Sequence, residues 1–469
     1  MDPNISFIEP SPPACHASRP IRLNGGVFLA LLLLTPVSLN ALQGYSSAGP
    51  TACPVQDRTV PTLSLHEAWR AAEREEPGYR AAREDVEGWR SAQAAVAREW
   101  FPGLSFDALG DHGLRLSPGE ERALGVGPRL EARLLAEWTV LDSDRGARGD
   151  EVEQRSREAT LAGEAYGVEH RAEVARIYLE AGSTERTVHL AHQWREELEE
   201  LAELVRRRVD AGVDREWEST LVEEALARAE AEVSRAEEAH GEAQRELAVL
   251  VGECVRAEWP EGKASFPAPE RSVEEQAQDN PEARRLRQEA RAQEAGARAA
   301  RREDRWRLDV VGGVGPNYSR AFEEDRVRQE YLVGVSGTWD LDLFGVRRQR
   351  AAERDAQAGA LEARAESREL LAARRAGAIR ERWEHTEERA HDVERRIESG
   401  SRRTEVARLR WEEGVGPWTD VVDARERLDE ARVERLTFRL ESMLTLVEYA
   451  ETVDEMDRLP AWLGQENSR

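Results

Sequence analysis

The feature that most constrains this chain is a pair of alternating stretches set at equivalent points among very long helical segments. From Leu130 to Val140 the even positions are all apolar and the odd ones mostly polar. From Tyr331 to Leu341 the odd positions carry the large apolar groups. Shorter, Gly-rich stretches, Leu104 to Leu109 and Leu308 to Val314, stand before them as hairpin partners. Period-two alternation bounded by turn residues marks a strand wetted on one face, and about ten residues is the length a tilted strand needs to cross a bilayer. The pattern also fits a two-stranded hairpin on a soluble protein. Trp100, Trp138, Trp306 and Trp339 favour the membrane. If each pair is a hairpin, all four fall toward its helical end, where an interfacial aromatic belt lies. Four strands cannot close a barrel, and open edges are not tolerated in lipid. Strands that enter a membrane therefore require three copies of the chain, twelve strands in all.

The alternation recurs because the chain reads as two internal repeats. Ser64-Leu65-His66-Glu67 and Ser272-Val273-Glu274-Glu275 are both capping boxes, and Glu76-Pro77 and Asn280-Pro281 follow them. In each half an amphipathic helix runs to Trp100 or Trp306, and a hairpin follows over about 101–141 or 307–344. A helix of about 60 residues, roughly 90 Å long, then reaches a glycine turn at Gly212 or Gly414. A second helix of about 35 residues returns to Gly252 or Val453. The expected organisation is a leader with signal peptide over 1–48, an N-terminal linker over 49–62 and repeat one over 63–252. An equatorial linker over 253–271, repeat two over 272–453 and a C-terminal tail over 454–469 complete it. Helix 216–252 carries Leu221, Ala225, Ala229, Ala236, Ala239, Ala243, Leu247 and Leu250 on one stripe. Small alanines with Glu and Arg elsewhere suit a hollow helical cylinder wet on both sides. A solid coiled-coil bundle has the same helices, but it has no use for two wetted hairpins.

Composition agrees with long helices on narrow apolar stripes: of 469 residues 34% are charged and only 6% aromatic. Asp and Glu number 92 against 67 Lys and Arg, a formal charge of -25 that argues against nucleic acid as partner. The basic charge is nearly all arginine, Lys263 being the single lysine. At the N-terminus Arg19 and Arg22 precede the apolar run Val27 to Leu34, and Ser46 and Ala48 offer small residues for cleavage, so the segment reads as an export signal. The run is short for a membrane span; an N-terminal anchor helix is the alternative. Cys53 follows Pro50-Thr51-Ala52, a faint lipoprotein pattern. Cys15 and Cys53 lie near the leader and Cys254 stands alone, so neither a disulfide framework nor a thiolate metal site is expected. No GxSxG, HExxH, Walker or dinucleotide fingerprint is present, and no cofactor or enzymatic activity is expected. His189 and His192 share a helical face with Glu185, a geometry open to a metal but commoner as a solvated face. Arg–Glu pairs at i,i+4 read as surface support for the helices.

Several segments resemble the TolC-type outer-membrane efflux factor family across most of 63–453. They are Leu63 to Ala68, Val174 to Leu179, Asp210 to Val213, Asn280 to Glu282, Thr338 to Gly345 and Arg410 to Val415. The resemblance implies a long-helix α-barrel continuous with a twelve-stranded β-barrel, formed by a homotrimer with four strands per chain. It implies an exit duct of a tripartite efflux or type I secretion system in the cell outer membrane, in contact with outer-membrane lipid. A periplasmic adaptor protein and an inner-membrane pump would be its partners. Family acidic residues near the periplasmic constriction map to Asp420 and Asp423, with Glu218 as the repeat-one counterpart of Asp420. Trp411 matches an aromatic that helps hold the tip closed, and Gly212, Val213, Gly414 and Val415 form tip turns for adaptor contact. Pro417 stands where other members carry a latching arginine. Acids also favour a helix N-terminus for electrostatic reasons alone. The competing functional reading is a non-transporting periplasmic coiled-coil scaffold.

Overall fold

Two serines start the helices of the two halves. The Glu67 amide donates to Ser64 Oγ at 3.4 Å while Ser64 N donates back to Glu67 Oε2 at 2.9 Å. Ser272 and Glu275 repeat the exchange at 3.2 Å in both directions. Each box satisfies two amides that the first helical turn leaves without partners.

The computed structural model describes residues 60–116, 124–213, 215–267, 272–303, 306–319 and 326–465. Strand β1 (Thr62–Leu63) leads into helices α1 (Leu65–Glu75) and α2 (Pro77–Arg98), strands β2 (Gly103–Leu116) and β3 (Leu124–Asp142), and helices α3 (Arg145–Asp210) and α4 (Glu216–Val251). After strand β4 (Arg256–Ala257) come α5 (Val273–Ala277), α6 (Pro281–Arg302), β5 (Trp306–Ser319), β6 (Arg326–Trp339), α7 (Val346–Glu412) and α8 (Thr419–Val453). A single 3-10 turn, Met456–Arg458, precedes the short α9 (Leu459–Trp462). Pro77 and Pro281 take the first position of α2 and α6, where a missing amide costs nothing.

Strands β2, β3, β5 and β6 form one antiparallel sheet in the order β2-β3-β5-β6. β2 and β5 are not the short partners expected: each has 14 residues, and β2 pairs along its full length from Gly103 to Leu116. Their alternation fades at Gly110, Gly113, Gly312, Gly313 and Gly315, yet backbone pairing continues without side chains to advertise it. Register decides the faces. Phe106 lies opposite Leu134, Leu134 opposite Val314, and Val314 opposite Tyr331. Leu104, Ala136, Gly312 and Val333 make the next row, and Trp138, Val310 and Val335 the one after. One apolar face therefore runs across all four strands, and it is exposed, Val333 by 87% and Tyr331 by 75%. The opposite face is mixed: Leu135, Val311 and Leu332 fall on it, but so do Arg133, which pairs with Glu330 at 2.8 Å, and Thr139, whose Oγ1 donates to Asp309 Oδ1 at 2.7 Å.

Helices α3 and α7, of 66 and 67 residues, extend about 100 Å each at 1.5 Å per residue. α4 packs along α3, α8 along α7, and α3 also meets α6 and α8. In α4 the buried seam is Val222, Ala225, Ala229, Val233, Ala236, His240, Ala243 and Leu247, a heptad-spaced line. Ala239, expected on that stripe, is exposed, because the seam follows the 3–4 spacing through Val233 and His240. Among the described residues no helix is long and apolar enough to cross a membrane.

The largest core sits halfway along the long helices. Leu65 and Trp69 of α1, Tyr178 and Leu179 of α3, Leu247 of α4, Ile379 of α7 and Leu446 of α8 meet there, with Trp259 of the linker and Leu459 and Leu463 of the chain end. Residues 454–465, read in sequence as a tail, thus complete this core. Tyr178 fastens its edge. Its hydroxyl lies 2.8 Å from the Leu63 carbonyl and 2.9 Å from that of Glu258, and it accepts from Glu258 N at 2.9 Å. It thereby holds the parallel pair β1–β4, in which Thr62 faces Arg256. Burial raises the Tyr178 hydroxyl pKa well above the phenol range. Tyr178→Phe removes these bonds at an expected cost of about 1–3 kcal/mol. Hydrogen exchange at the Glu258 amide should accelerate about ten- to hundredfold; an unchanged rate would show that the β1–β4 pair holds without Tyr178.

Candidate functional site

Two regions carry the residues that the sequence singles out, at opposite ends of α3. At its N-terminal end the four tryptophans gather on the sheet margin. Trp306 lies opposite Trp339 in the β5–β6 register, and Trp138 Nε1 donates to the Trp100 carbonyl at 3.0 Å. The Arg145 guanidinium stacks 4.4 Å from the Trp100 ring. All four rings are exposed, as is the loop after β6 that bears Leu341, Leu343 and Phe344.

At the C-terminal end of α3 the two glycine turns share one geometry. Gly212 N donates to Val209 O at 2.8 Å and Val213 N to Arg208 O at 2.9 Å. Gly414 N donates to Trp411 O and Val415 N to Arg410 O, both at 2.9 Å. This is the paired-bond helix stop in which the residue after the C-cap must be left-handed, and Gly212 and Gly414 have φ of 71° and 72°. Val213 and Val415, the next residues, project into solvent.

Beneath the turns lies a second core of Leu198, Ala202 and Val205 from α3, Val222, Ala225 and Ala229 from α4, and Val421 and Val422 from α8. Trp411 and Trp418 are 2% exposed within it, and the Arg208 guanidinium sits 4.9 Å from the Trp411 ring. Sequence reasoning found Trp411 and missed Trp418, whose burial depends on the core contributed by α3, α4 and α8. Neither indole N–H meets an acceptor among the described residues. A cavity of about 610 Å³ opens beside this core, lined by Trp194, Glu197, Leu201, Arg207, Trp411 and Arg425.

Asp420 and Asp423 occupy the start of α8 and are exposed, on the side away from buried Val421 and Val422. Glu218 is half-buried in the first turn of α4. Within one chain these three carboxylates do not form a cluster; they stand on the outer faces of two hairpins that share a core. Pro417 precedes α8, where its carbonyl accepts from Asp420 N at 3.3 Å. Cys53 lies outside the described residues. His192 Nε2 lies 3.1 Å from Glu237 and Glu185 pairs with Arg256 at 3.1 Å, so the triplet with His189 does not converge. Among the described residues no three His, Cys, Asp or Glu side chains are placed to share a metal.

Sequence reading also missed a charge cluster two turns behind Asp420. Arg425 of α8 reaches Glu197 of α3, and its Nε lies 3.0 Å from Asp429 Oδ2. Arg432 holds the other oxygen of Asp429 at 3.0 Å. Burial pushes the Asp429 and Glu197 carboxyls up despite these arginines. A second set of ion pairs runs between α7 and α8. Arg389 meets Glu441 at 3.2 Å, Arg382 and Arg375 meet Glu448 at 2.7 and 2.9 Å, and Arg396 meets Glu434. Burial opposes ionisation at Glu448, but the bonds from Arg375 and Arg382 outweigh it and hold that carboxyl below its ordinary range.

Arg425→Met would leave Glu197 and Asp429 facing each other as like charges. Their folded-state pKa values, already above the unfolded ones, would rise further. The penalty then stands above the folded pKa and fades as pH falls toward the unfolded value. The expected loss is about 1–3 kcal/mol of local stability at neutral pH, recovered as pH falls through the folded-state pKa values toward the unfolded carboxylate range. It is read as amide exchange in the first turns of α8 against the unmodified protein at each pH. A loss that grows on acidification would contradict this account.

Comparison with known proteins adds three findings. Residues 273–446 match the family described as outer membrane efflux protein. Protein CyaE of Bordetella pertussis is 29% identical over 248 residues, 51% of this chain and 50% of that protein. The chain thus spans about half the length of the curated relative it matches. Among solved structures, the outer-membrane channel OprN aligns with a TM-score of 0.68 and 20% identity, over 85% of this chain and 90% of its own. The Campylobacter jejuni CmeC outer membrane channel aligns with a TM-score of 0.68 and 13% identity, over 86% and 87%. At such identities the structures speak for the fold alone. In fold over most of its length, and in sequence through its second half, the chain resembles the TolC-type outer-membrane efflux factors. The matched family is one of channels rather than enzymes.

Proposed function

We propose that the chain is one protomer of a trimeric outer-membrane exit duct, serving a tripartite efflux or type I secretion system. One observation carries this reading: a four-stranded sheet whose single apolar face is exposed and whose outer strands, β2 and β6, each have one partner within the chain. An apolar face of that kind suits hydrocarbon, but unpaired strand edges do not. Joining β6 of one copy to β2 of the next, three times over, closes twelve strands and removes every edge. The mixed face, with Arg133, Glu330, Thr139 and Asp309, then lines the lumen. The tryptophans fall at the sheet margin nearest the helices, at the periplasmic interface of such a barrel. Helices of about 100 Å carry the duct toward the inner membrane, where an adaptor protein would meet the turns at Gly212–Val213 and Gly414–Val415. Transport through it requires no chemistry, only a pore and a gate. The related channels and the matched family support this reading.

Fractionation tests it directly: heat-sensitive trimers in outer-membrane extracts, with conductance in planar bilayers, are the expected result. Recovery as a soluble periplasmic protein would favour the scaffold reading instead.

The two faces of the sheet predict opposite tolerances. Val333→Arg puts a charge in lipid at a cost of about 2–4 kcal/mol near the midplane and should prevent recovery of inserted trimers. Ser336→Arg, on the lumen face, should insert and alter conductance. Equal recovery of both variants would refute the assignment of faces.

At the tip, three copies would present Asp420 and Asp423 as rings of carboxylate. Replacing both with Asn should weaken cation selectivity and block by divalent cations in single-channel recordings. Unchanged recordings would remove these residues from the gate.

A further inference from the structure

Within the chain β3 runs into α3 and α6 runs into β5, and these two units lie side by side: β3 pairs with β5, and α3 packs on α6. The repeat supplies the same two units again, β6 running into α7 and α2 running into β2. They stand at opposite edges of the sheet, so within one chain they do not meet. We propose that they meet between copies. The α7 side of one copy docks on the α2 side of the next, and an apolar clasp and an ion pair between Arg80 and Glu366 fix the register.

The two short helices carry the contrast. α2 and α6 have 22 residues each, and both start on proline. α6 packs on α3 and α7 and buries ten residues; α2 packs on α3 and buries none. Counted from those prolines, Gly88 stands where α6 has Ala292. Ala292 is fully buried, whereas a Cβ added at Gly88 would meet nothing within 4 Å. α6 is covered because α3 of the preceding repeat lies beside it. On the bare side of α2 the counterpart of α3 is α7, which a second copy of the chain brings there.

Charge agrees with that register. Arg284 of α6 lies 3.3 Å from Glu164 of α3. Arg80 holds the place of Arg284 after the proline, and Glu366 stands as far before Gly414 as Glu164 does before Gly212. Arg80 and Glu366 are both exposed, and docking sets them against each other. At the junction with the sheet, Ser143 N donates to the Trp306 carbonyl at 3.2 Å and Ser143 Oγ to the Arg302 carbonyl at 3.1 Å. The β3–α3 loop thus rests on the α6–β5 connection. The counterpart loop, 340–345, presents Leu341, Leu343 and Phe344, and the counterpart connection presents Trp100 and Phe101. Phe344 is 89% exposed and Phe101 72%. Where the chain makes a polar contact with itself, two copies therefore make an apolar one, and burial of aromatic rings favours it. Such a head-to-tail interface uses two different surfaces and leaves none open only when it closes into a ring.

The proposal rests on the trimer proposed above, so trimer recovery is read first and the seam second. With Phe101→Cys and Phe344→Cys in one chain, the native cysteines left in place, a short bismaleimide should yield covalent dimers and trimers. Each single variant should run as a monomer after heating. Arg80→Glu and Glu366→Arg should each lower the temperature at which trimers dissociate, and the two together should restore it. Intact trimers that do not cross-link would overturn the seam and leave the duct standing. Charge reversals whose losses add, or quenching of a fluorophore at Phe344→Cys by brominated lipid, would do the same, the latter assigning the patch to the bilayer. Absence of trimers from the unmodified protein would overturn both.

Discussion

Backbone hydrogen bonding in the sheet is the constraint from which the rest of this structure follows. β2 pairs with β3, β3 with β5 apart from a bulge at Thr139–Leu141, and β5 with β6, while among the described residues the outer edges of β2 and β6 face no further strand. In water such edges invite aggregation, and in lipid they are untenable. A second copy is the one source of strands that matches them in length, since β2 and β6 both have 14 residues. Glycine makes the pairing tight. At Gly315 a Cβ would lie 1.9 Å from the Ala132 carbonyl oxygen, so a side chain there would push β5 away from β3. The same spare position lets Arg133 cross toward Glu330 on the mixed face. Side-chain alternation and backbone approach are thus two expressions of one register.

In the proposed duct, a barrel wall only four strands wide per chain would leave the helices to bridge the remaining distance. They do so with little apolar material. The α4 seam is largely alanine and valine, and between α7 and α8 arginines at 375, 382, 389 and 396 face glutamates at 434, 441 and 448. Seven-residue spacing on both helices keeps each pair in step over several turns, as in a coiled coil. Half-exposed pairs of this kind contribute less than about 1 kcal/mol each. Their effect lies more in fixing which helix faces which than in stability. The i,i+4 pairs read from sequence are present too, Arg402 with Glu398 and Arg408 with Glu412 among them.

What could be read from sequence was whatever has a period. Leu130 to Val140 and Tyr331 to Leu341 announced their strands, the capping boxes at Ser64 and Ser272 announced helix starts, and Gly212 and Gly414 announced turns. The missing half of β2 and β5 lay where glycines erase alternation, so pairing there depends on a partner strand distant in sequence. Ala239 was misplaced because a stripe drawn through leucines and alanines ignores His240, which the seam buries. Trp418 and Arg425 were out of reach for a common reason: each depends on a neighbour from another element. Trp418 needs the core beneath the turns, and Arg425 needs Glu197 on α3. The exposed Asp420 and Asp423 and the half-buried Glu218 lie on the helices that the sequence indicated, but a ring of such acids would be a property of an assembly rather than of one chain.

Both cores of the helical body leave buried polar groups unmet among the described residues, Gln244 Oε1 beside the equatorial core and the Trp411 and Trp418 indoles at the tip, but they differ in how their large aromatic side chains are anchored. In the equatorial core Trp69 Nε1 donates to Arg171 O at 2.9 Å, Tyr449 to Gln276 at 2.8 Å, and Tyr178 closes the β1–β4 edge. In the tip core the indole N–H groups of Trp411 and Trp418 go unmet, at about 1–3 kcal/mol each. Asp429 and Glu197 nearby resist ionisation though arginines surround them. Burial thus opposes separation of the tip helices, while unmet polar groups reduce its cost. In the proposed duct, weaker anchoring of the aromatic side chains at the tip than at the equator would favour opening there. Pro417 supplies no charge to latch the tip. If the proposed duct opens there, resistance would come from the Arg208–Trp411 stack and the Arg425 cluster, both of which are interactions between helices.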